Sequence, residues 1–147
     1  MTRIPLNSTE REQGGFTDRF IVAKTDLTDA VAGEAQTLVL AVLPIGTLVG
    51  AVAVRLTTAF NSADAAYVST ALTVGDDGTA NLFLTSQELN AQGTTVFNKA
   101  GTGTLKAYDA ANNLKATFTP TAAKKLADLT SGQVTILARL VALDQLA

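Results

Sequence analysis

The stretch from Thr37 to Leu56 reads TLVLAVLPIGTLVGAVAVRL, and two fold classes compete for it. It is nearly as long as a membrane-spanning helix, which needs about 20 apolar residues. Pro44 and Gly46 cut it in the middle. A proline inside a helix removes a backbone hydrogen bond and clashes with the preceding turn. Each half is also short and rich in β-branched residues, as buried strands are. The run therefore predicts two strands, Leu38–Leu43 and Thr47–Phe60, and no membrane span. Leu38–Leu43 is continuously apolar, which predicts burial on both faces. In the longer half Leu48, Val52, Val54 and Leu56 recur in near alternation.

Further strands flank this pair. Phe20–Ala23 is short and apolar, and Val68–Val74 alternates, with Val68, Thr70, Leu72 and Val74 on one side. The turn Gly75-Asp76-Asp77-Gly78 leads to a strand at Ala80–Leu84, a hairpin signal because Asp-Gly reaches positive φ cheaply. Thr85–Gln92 reads as a helical turn or two, capped by Ser86 and ended by Gly93. Strands follow at Thr94–Phe97, Thr104–Tyr108 and Leu114–Thr119, with Pro120 as a stop. Ala122–Leu129 has helical spacing. Gly132 then opens a terminal strand, QVTILARLVAL, that is apolar on most of both faces. Such a strand is central, or its outer face is an interface.

Several short strands separated by Gly, Asn and Asp turns predict an all-β fold. We expect an antiparallel β-sandwich or jelly roll, with one or two short helical turns and an extended N-terminal arm. The arm is residues 1–19, a polar segment with a Gly14-Gly15 joint and a small apolar anchor, Ile4, Pro5 and Leu6. Residues 20–147 form the single β-sandwich domain, and a chain of 147 residues can bury a real core. The polar start MTRIPLNSTEREQGGFTDRF has no apolar core for a signal peptide.

Composition narrows the chemistry. The chain has no His, no Cys and no Trp. That excludes Ser/His/Asp triads, Cys/His dyads, His/Cys zinc clusters and haem held by either residue. Paired carboxylates, Lys chemistry and oxygen-ligated metals remain. The Asp76-Asp77 pair is the best of these, but a calcium loop spreads several oxygen ligands over alternate positions. A plain turn explains two adjacent acids better. Lys99, Gly101 and Gly103 are in the wrong order for a phosphate loop. Nine Asp and four Glu are scattered, mostly at turns, Asp109 and Asp144 lying near strand ends. A glycosidase needs two carboxylates facing an aromatic-lined cleft. We therefore expect no enzyme, no cofactor and no metal. With 11 basic residues against 13 acidic ones and no basic run, nucleic acid is not expected as a partner either. Arg55 and Arg139 sit inside apolar strands. An isolated buried charge is costly, so each reaches solvent, an acid or another subunit. Together with Ile4, Pro5 and Leu6 they are the candidate interface residues.

The stretches TTAFNSADAAYVSTALTVGDDG, Thr57 to Gly78, and LADLTSGQVTILARLVAL, Leu126 to Leu143, together with the polar N-terminal segment, resemble small capsid decoration (cement) proteins of tailed bacteriophages. The resemblance covers Val49 to Leu143 and is one of style and strand order, without a diagnostic motif. It implies a structural virion protein, assembled in the host cytoplasm, that binds the outer capsid surface and clamps neighbouring capsomers. It implies the major capsid protein as partner and a homo-oligomer, a dimer or trimer. Neck, tail and fibre components share this look. A jelly-roll carbohydrate-binding module is the alternative of another class, and would use Tyr67, Phe83 or Tyr108 on a concave face.

Overall fold

The computed structural model describes residues 1–90 and 97–143. In chain order the elements are strand β1 (Thr2–Pro5), helix α1 (Ser8–Gly14), β2 (Asp18–Ala23), β3 (Gln36–Leu43), β4 (Thr47–Ser62), β5 (Thr70–Gly75), β6 (Leu84–Glu88), β7 (Phe97–Ala100), β8 (Lys106–Ala107), β9 (Asn112–Pro120) and β10 (Leu129–Ala142). They make two antiparallel sheets. The larger runs β1-β2-β10-β4-β7, with β8 also paired to β4, and the smaller runs β3-β9-β5-β6. The all-β sandwich is what the alternating pattern calls for.

The run from Thr37 to Leu56 lies in β3 and β4, split at Pro44 and Gly46. No helix among the described residues is long and apolar enough to cross a membrane. β4 and β10 pair from Thr47↔Ala142 to Ser62↔Leu129 and form the spine of the larger sheet. Alternation turns Val54 and Leu56 of β4, and Val134, Ile136 and Ala138 of β10, into the core. Phe20, Phe60, Phe83 and Phe118 are fully buried between the sheets, with Phe60 and Phe118 6.1 Å apart by ring centroid. Gly132 in β10 has φ 145°, and a side chain there would overlap the Phe60 ring. Only glycine fits both the backbone and the space.

Four expectations need correction. β3 is an edge strand, so it is not buried on both faces: Val39 and Val42 are exposed. A bulge at Leu40 resets its alternation, so that Leu40, Ala41 and Leu43 are all buried. The segment 84–88 is a strand and not a helical turn, because its backbone pairs with β5 at Ala71↔Glu88 and Leu72↔Gln87. Residues 80–83, where that neighbouring strand was expected, form the turn before it, and the strand begins at Leu84. The segment Ala122–Leu129 reduces to a single 3-10 turn, Leu126–Asp128, since Ala123 takes φ 62° and Leu129 already enters β10. Residues 91–93 of the expected helical segment, the start of the strand at Thr94, and Asp144 lie outside the described residues.

The N-terminal segment is the fourth case. Its first strand, β1, pairs with β2 of the same chain, as Ile4↔Arg19 and Arg3↔Phe20. The Arg3 guanidinium binds Asp18 at 2.9–3.0 Å and lies 5.7 Å from the Phe20 ring centroid. Leu6 is buried. Asn7 and Glu10 form a reciprocal capping box at the start of α1, and Gly15, at φ 68°, ends it as a left-handed cap. The apolar anchor therefore closes the chain's own sheet edge in place of a free arm.

Candidate interaction surface

The acidic pair was the chemical candidate, and the structure makes it a staple. Asp76 follows β5 with its carboxylate buried. Its Oδ1 accepts from the backbone N–H groups of Gly78 at 2.9 Å and Thr79 at 2.8 Å. Its Oδ2 accepts from Lys106 Nζ at 2.6 Å and from the Tyr108 hydroxyl at 2.9 Å. These four bonds fill a carboxylate's acceptor capacity. They tie the β5–β6 turn of one sheet to β8 of the other. Burial pushes the Asp76 carboxyl up, but the hydrogen bonds from Lys106, Tyr108, Thr79 and Gly78 outweigh it and hold it down at about 2. Burial pushes the Tyr108 hydroxyl up, and the adjoining Asp76 adds to that. Asp77 points away, to Lys115 and to the Asn113 amide at 2.9 Å. Among the described residues no group of three acidic side chains converges. Tyr67, Phe83 and Tyr108 are core residues at most 5% exposed, so these rings offer no platform for a sugar.

The informative surface is the outer face of the larger sheet. Cross-strand register assembles it in rows. One row is Ile4, Arg19, Leu137 and Ala53 on β1, β2, β10 and β4, and the next is Thr2, Ile21, Thr135 and Arg55. Arg139 stands opposite Ala51 on the same face, its stem lying over Gly50, where a side chain would come within 3.2 Å of its Cδ. Arg55 and Arg139 are four residues apart in register on neighbouring strands. At about 3.4 Å per residue and 4.8 Å between strands, their Cα atoms stand about 14 Å apart.

Among the described outward positions of β1, β2, β4 and β10, every charge is a guanidinium, on a chain of formal net charge −2. Arg55 and Arg139 are exposed, and among the described residues neither has an acidic partner. Arg19 meets only Glu10 of α1, at 3.5 Å, and its buried Nε finds no acceptor among the described residues. Between α1 and β4 the face sinks into an open trough of about 530 Å³, with Leu6, Phe16, Ile21 and Leu137 along it and Arg19 and Arg55 beside them.

Of the candidate interface residues, Ile4, Arg55 and Arg139 share this face and Leu6 lines its trough. Pro5 lies elsewhere, in a cleft at one tip with Val42, Pro44 and Ile45. Sequence reasoning missed Arg19, Ile21 and Glu10. The alternation of Asp18-Arg19-Phe20-Ile21-Val22 carries the signal for the first two, but the apolar run itself starts only at Phe20.

No family model matches the chain, and neither does any curated protein. Among solved structures, a chain of the cyanophage Pam1 capsid asymmetric unit shares its fold. The TM-score is 0.55 and the identity 23%, over 82% of this chain and 79% of that one. A chain of the acid-stable capsid of Helicobacter pylori bacteriophage KHP30 matches at TM-score 0.44 and 14% identity over 95% of each chain. The C-terminal domain of EclA, a sugar-binding protein, matches at TM-score 0.39 and 10% identity, over 84% of this chain and 76% of that one.

Proposed function

We propose that the chain is a non-enzymatic structural protein of a tailed-phage particle, a decoration protein that binds the outer capsid surface and clamps neighbouring capsomers. The observation that carries this reading is the outer face of the larger sheet. At the described outward positions of β1, β2, β4 and β10 it is mostly small or apolar, and its charges are arginines, the residue type enriched at protein interfaces. The fold shared with a Pam1 capsid chain supports the major capsid protein as the partner class. Linkage explains how such binding would clamp a lattice. A ligand that binds only the assembled lattice stabilises that state by mass action. Contacts repeated around the particle gain strength through effective concentration. The clamp works through the sheet face, because β1 is already paired within its own chain.

Self-association belongs to β3 in this reading. That edge strand carries no charge, and Val39, Val42 and the adjoining Ile45 are exposed along it. An uncharged edge invites strand pairing with a second copy.

Cosedimentation with capsids assembled without this chain tests the main reading. The wild type binds and raises the capsid melting temperature. The double variant Arg55→Glu/Arg139→Glu binds at least tenfold more weakly. Absence of wild-type binding to such particles overturns the proposal, and ring assembly in isolation favours a neck or tail component instead.

A further inference from the structure

We propose that the trough between α1 and β4 receives a carboxylate-bearing side chain, flanked by apolar residues, from a segment of the partner protein. The carboxylate is held between Arg19 and Arg55. This rests on the reading that the arginine face is a protein-binding one, and it assigns the chemistry of what is bound.

Three observations converge on that occupant. The trough holds two guanidiniums against one carboxylate, Glu10. Glu10 is largely spent on its own helix: its Oε2 accepts from the Asn7 N–H at 3.0 Å, and its Oε1 reaches only to 3.5 Å from Arg19. That second distance lies outside ordinary N–H···O geometry. Arg19 Nε is buried without an acceptor among the described residues, so Glu10 leaves this guanidinium only partly satisfied. The remaining lining includes Leu6, Phe16, Ile21 and Leu137, so the groups flanking the acid are apolar.

A carboxylate fits this site better than a phosphate backbone. Guanidinium and carboxylate match as two parallel hydrogen bonds. Nucleic acid is tracked by closely spaced cations with stacking aromatics. Here Arg55 and Arg139 are about 14 Å apart, with uncharged Leu137 and Ala53 on the face between them. The volume of about 530 Å³ lies inside the range that holds a few side chains or a small ligand. The trough is open along the sheet face, so a chain segment can enter and leave it. A second partner acid about 14 Å away along the strands would meet Arg139.

The test is an NMR titration of the isotope-labelled full chain with two capped hexapeptides, one carrying a central Val-Glu-Leu and the other Val-Gln-Leu. A short DNA duplex is the third probe. The Glu peptide shifts the Nε–H signals of Arg19 and Arg55 and the methyls of Ile21 and Leu137. It binds at least tenfold tighter than the Gln peptide. Arg55→Glu abolishes the difference, and Lys125→Glu, an equal charge change on an exposed residue outside the trough, keeps it. Equal affinity for the two peptides, shifts confined to another surface, or displacement of the Glu peptide by the duplex would each overturn the proposal. The titration needs no capsid, so its outcome is independent of the cosedimentation experiment.

Discussion

The Asp76 carboxylate accepts four hydrogen bonds at the seam between the two sheets, and its ionisation is coupled to folding. It ionises at about 2 in the folded chain, against an ordinary value of 3.8. Between those values the unfolded chain binds more protons, so stability falls as pH falls. The contribution is fully present above about pH 5 and is lost toward pH 2, and its size is about 2 kcal/mol at 1.36 kcal/mol per unit. Asp76→Asn should therefore lower the unfolding free energy by about 2–3 kcal/mol at pH 7, the cost of losing bonds made to a charge. Guanidinium unfolding at stepped pH checks this: the gap between wild type and variant shrinks toward zero near pH 2. A gap that stays constant from pH 7 to pH 2 contradicts the assignment. In sequence this aspartate reads as a turn residue, which it is. Its reach to Lys106 and Tyr108, some 30 positions on, is set by tertiary contact and has no local signature. Arg55 and Arg139 were legible because alternation alone puts them on the outward side of apolar strands.

At the scale of elements, the N-terminal segment carries the main lesson. Asn7 and Glu10 have capping-box spacing, and Gly15 is a ready left-handed cap, so the short helix was written locally. Its packing was not, since a polar segment with one small apolar cluster reads equally well as a loose arm. Leu6 decides between the two. It is 8% exposed, and Leu6→Ala should cost about 2–4 kcal/mol, the usual price of a truncated buried leucine. Thermal unfolding of the variant measures it, and a loss below about 0.5 kcal/mol, the scale of surface substitutions, returns the segment to the status of an arm. The segment 84–88 failed for the opposite reason. Its residues suit a helical turn, but Glu88 accepts from Ser69 Oγ at 2.6 Å and from the N–H groups of Thr70 and Asn90 at 2.9 and 2.6 Å. That carboxylate closes the edge of the smaller sheet, and such tertiary pairing overrides weak local propensity.

The whole molecule is a sandwich with unlike outer faces. The larger sheet presents arginines among small and apolar residues. The smaller presents a threonine row, Thr37, Thr117 and Thr73, in which the first two hydroxyls bond at 2.9 Å. The all-β class and most strand positions were legible from period-two alternation. The partition into sheets was not, because pairing of β10 with both β2 and β4 joins residues at least 67 positions apart (Leu129 and Ser62 being the nearest in sequence). Uncharged β3 at one edge predicts self-association. Light scattering should find a dimer or trimer, and Val39→Lys/Val42→Lys should return it to a monomer without loss of fold. A wild type that is monomeric at high micromolar concentration removes β3 from that role. Whether the arginine face meets a capsid is decided by electron cryomicroscopy of particles carrying the chain. Density is expected on the capsid exterior, with Arg55 and Arg139 turned toward acidic side chains of the coat protein. Density only at the neck or tail, or a bound copy whose threonine face meets the coat while the arginines face solvent, would contradict it.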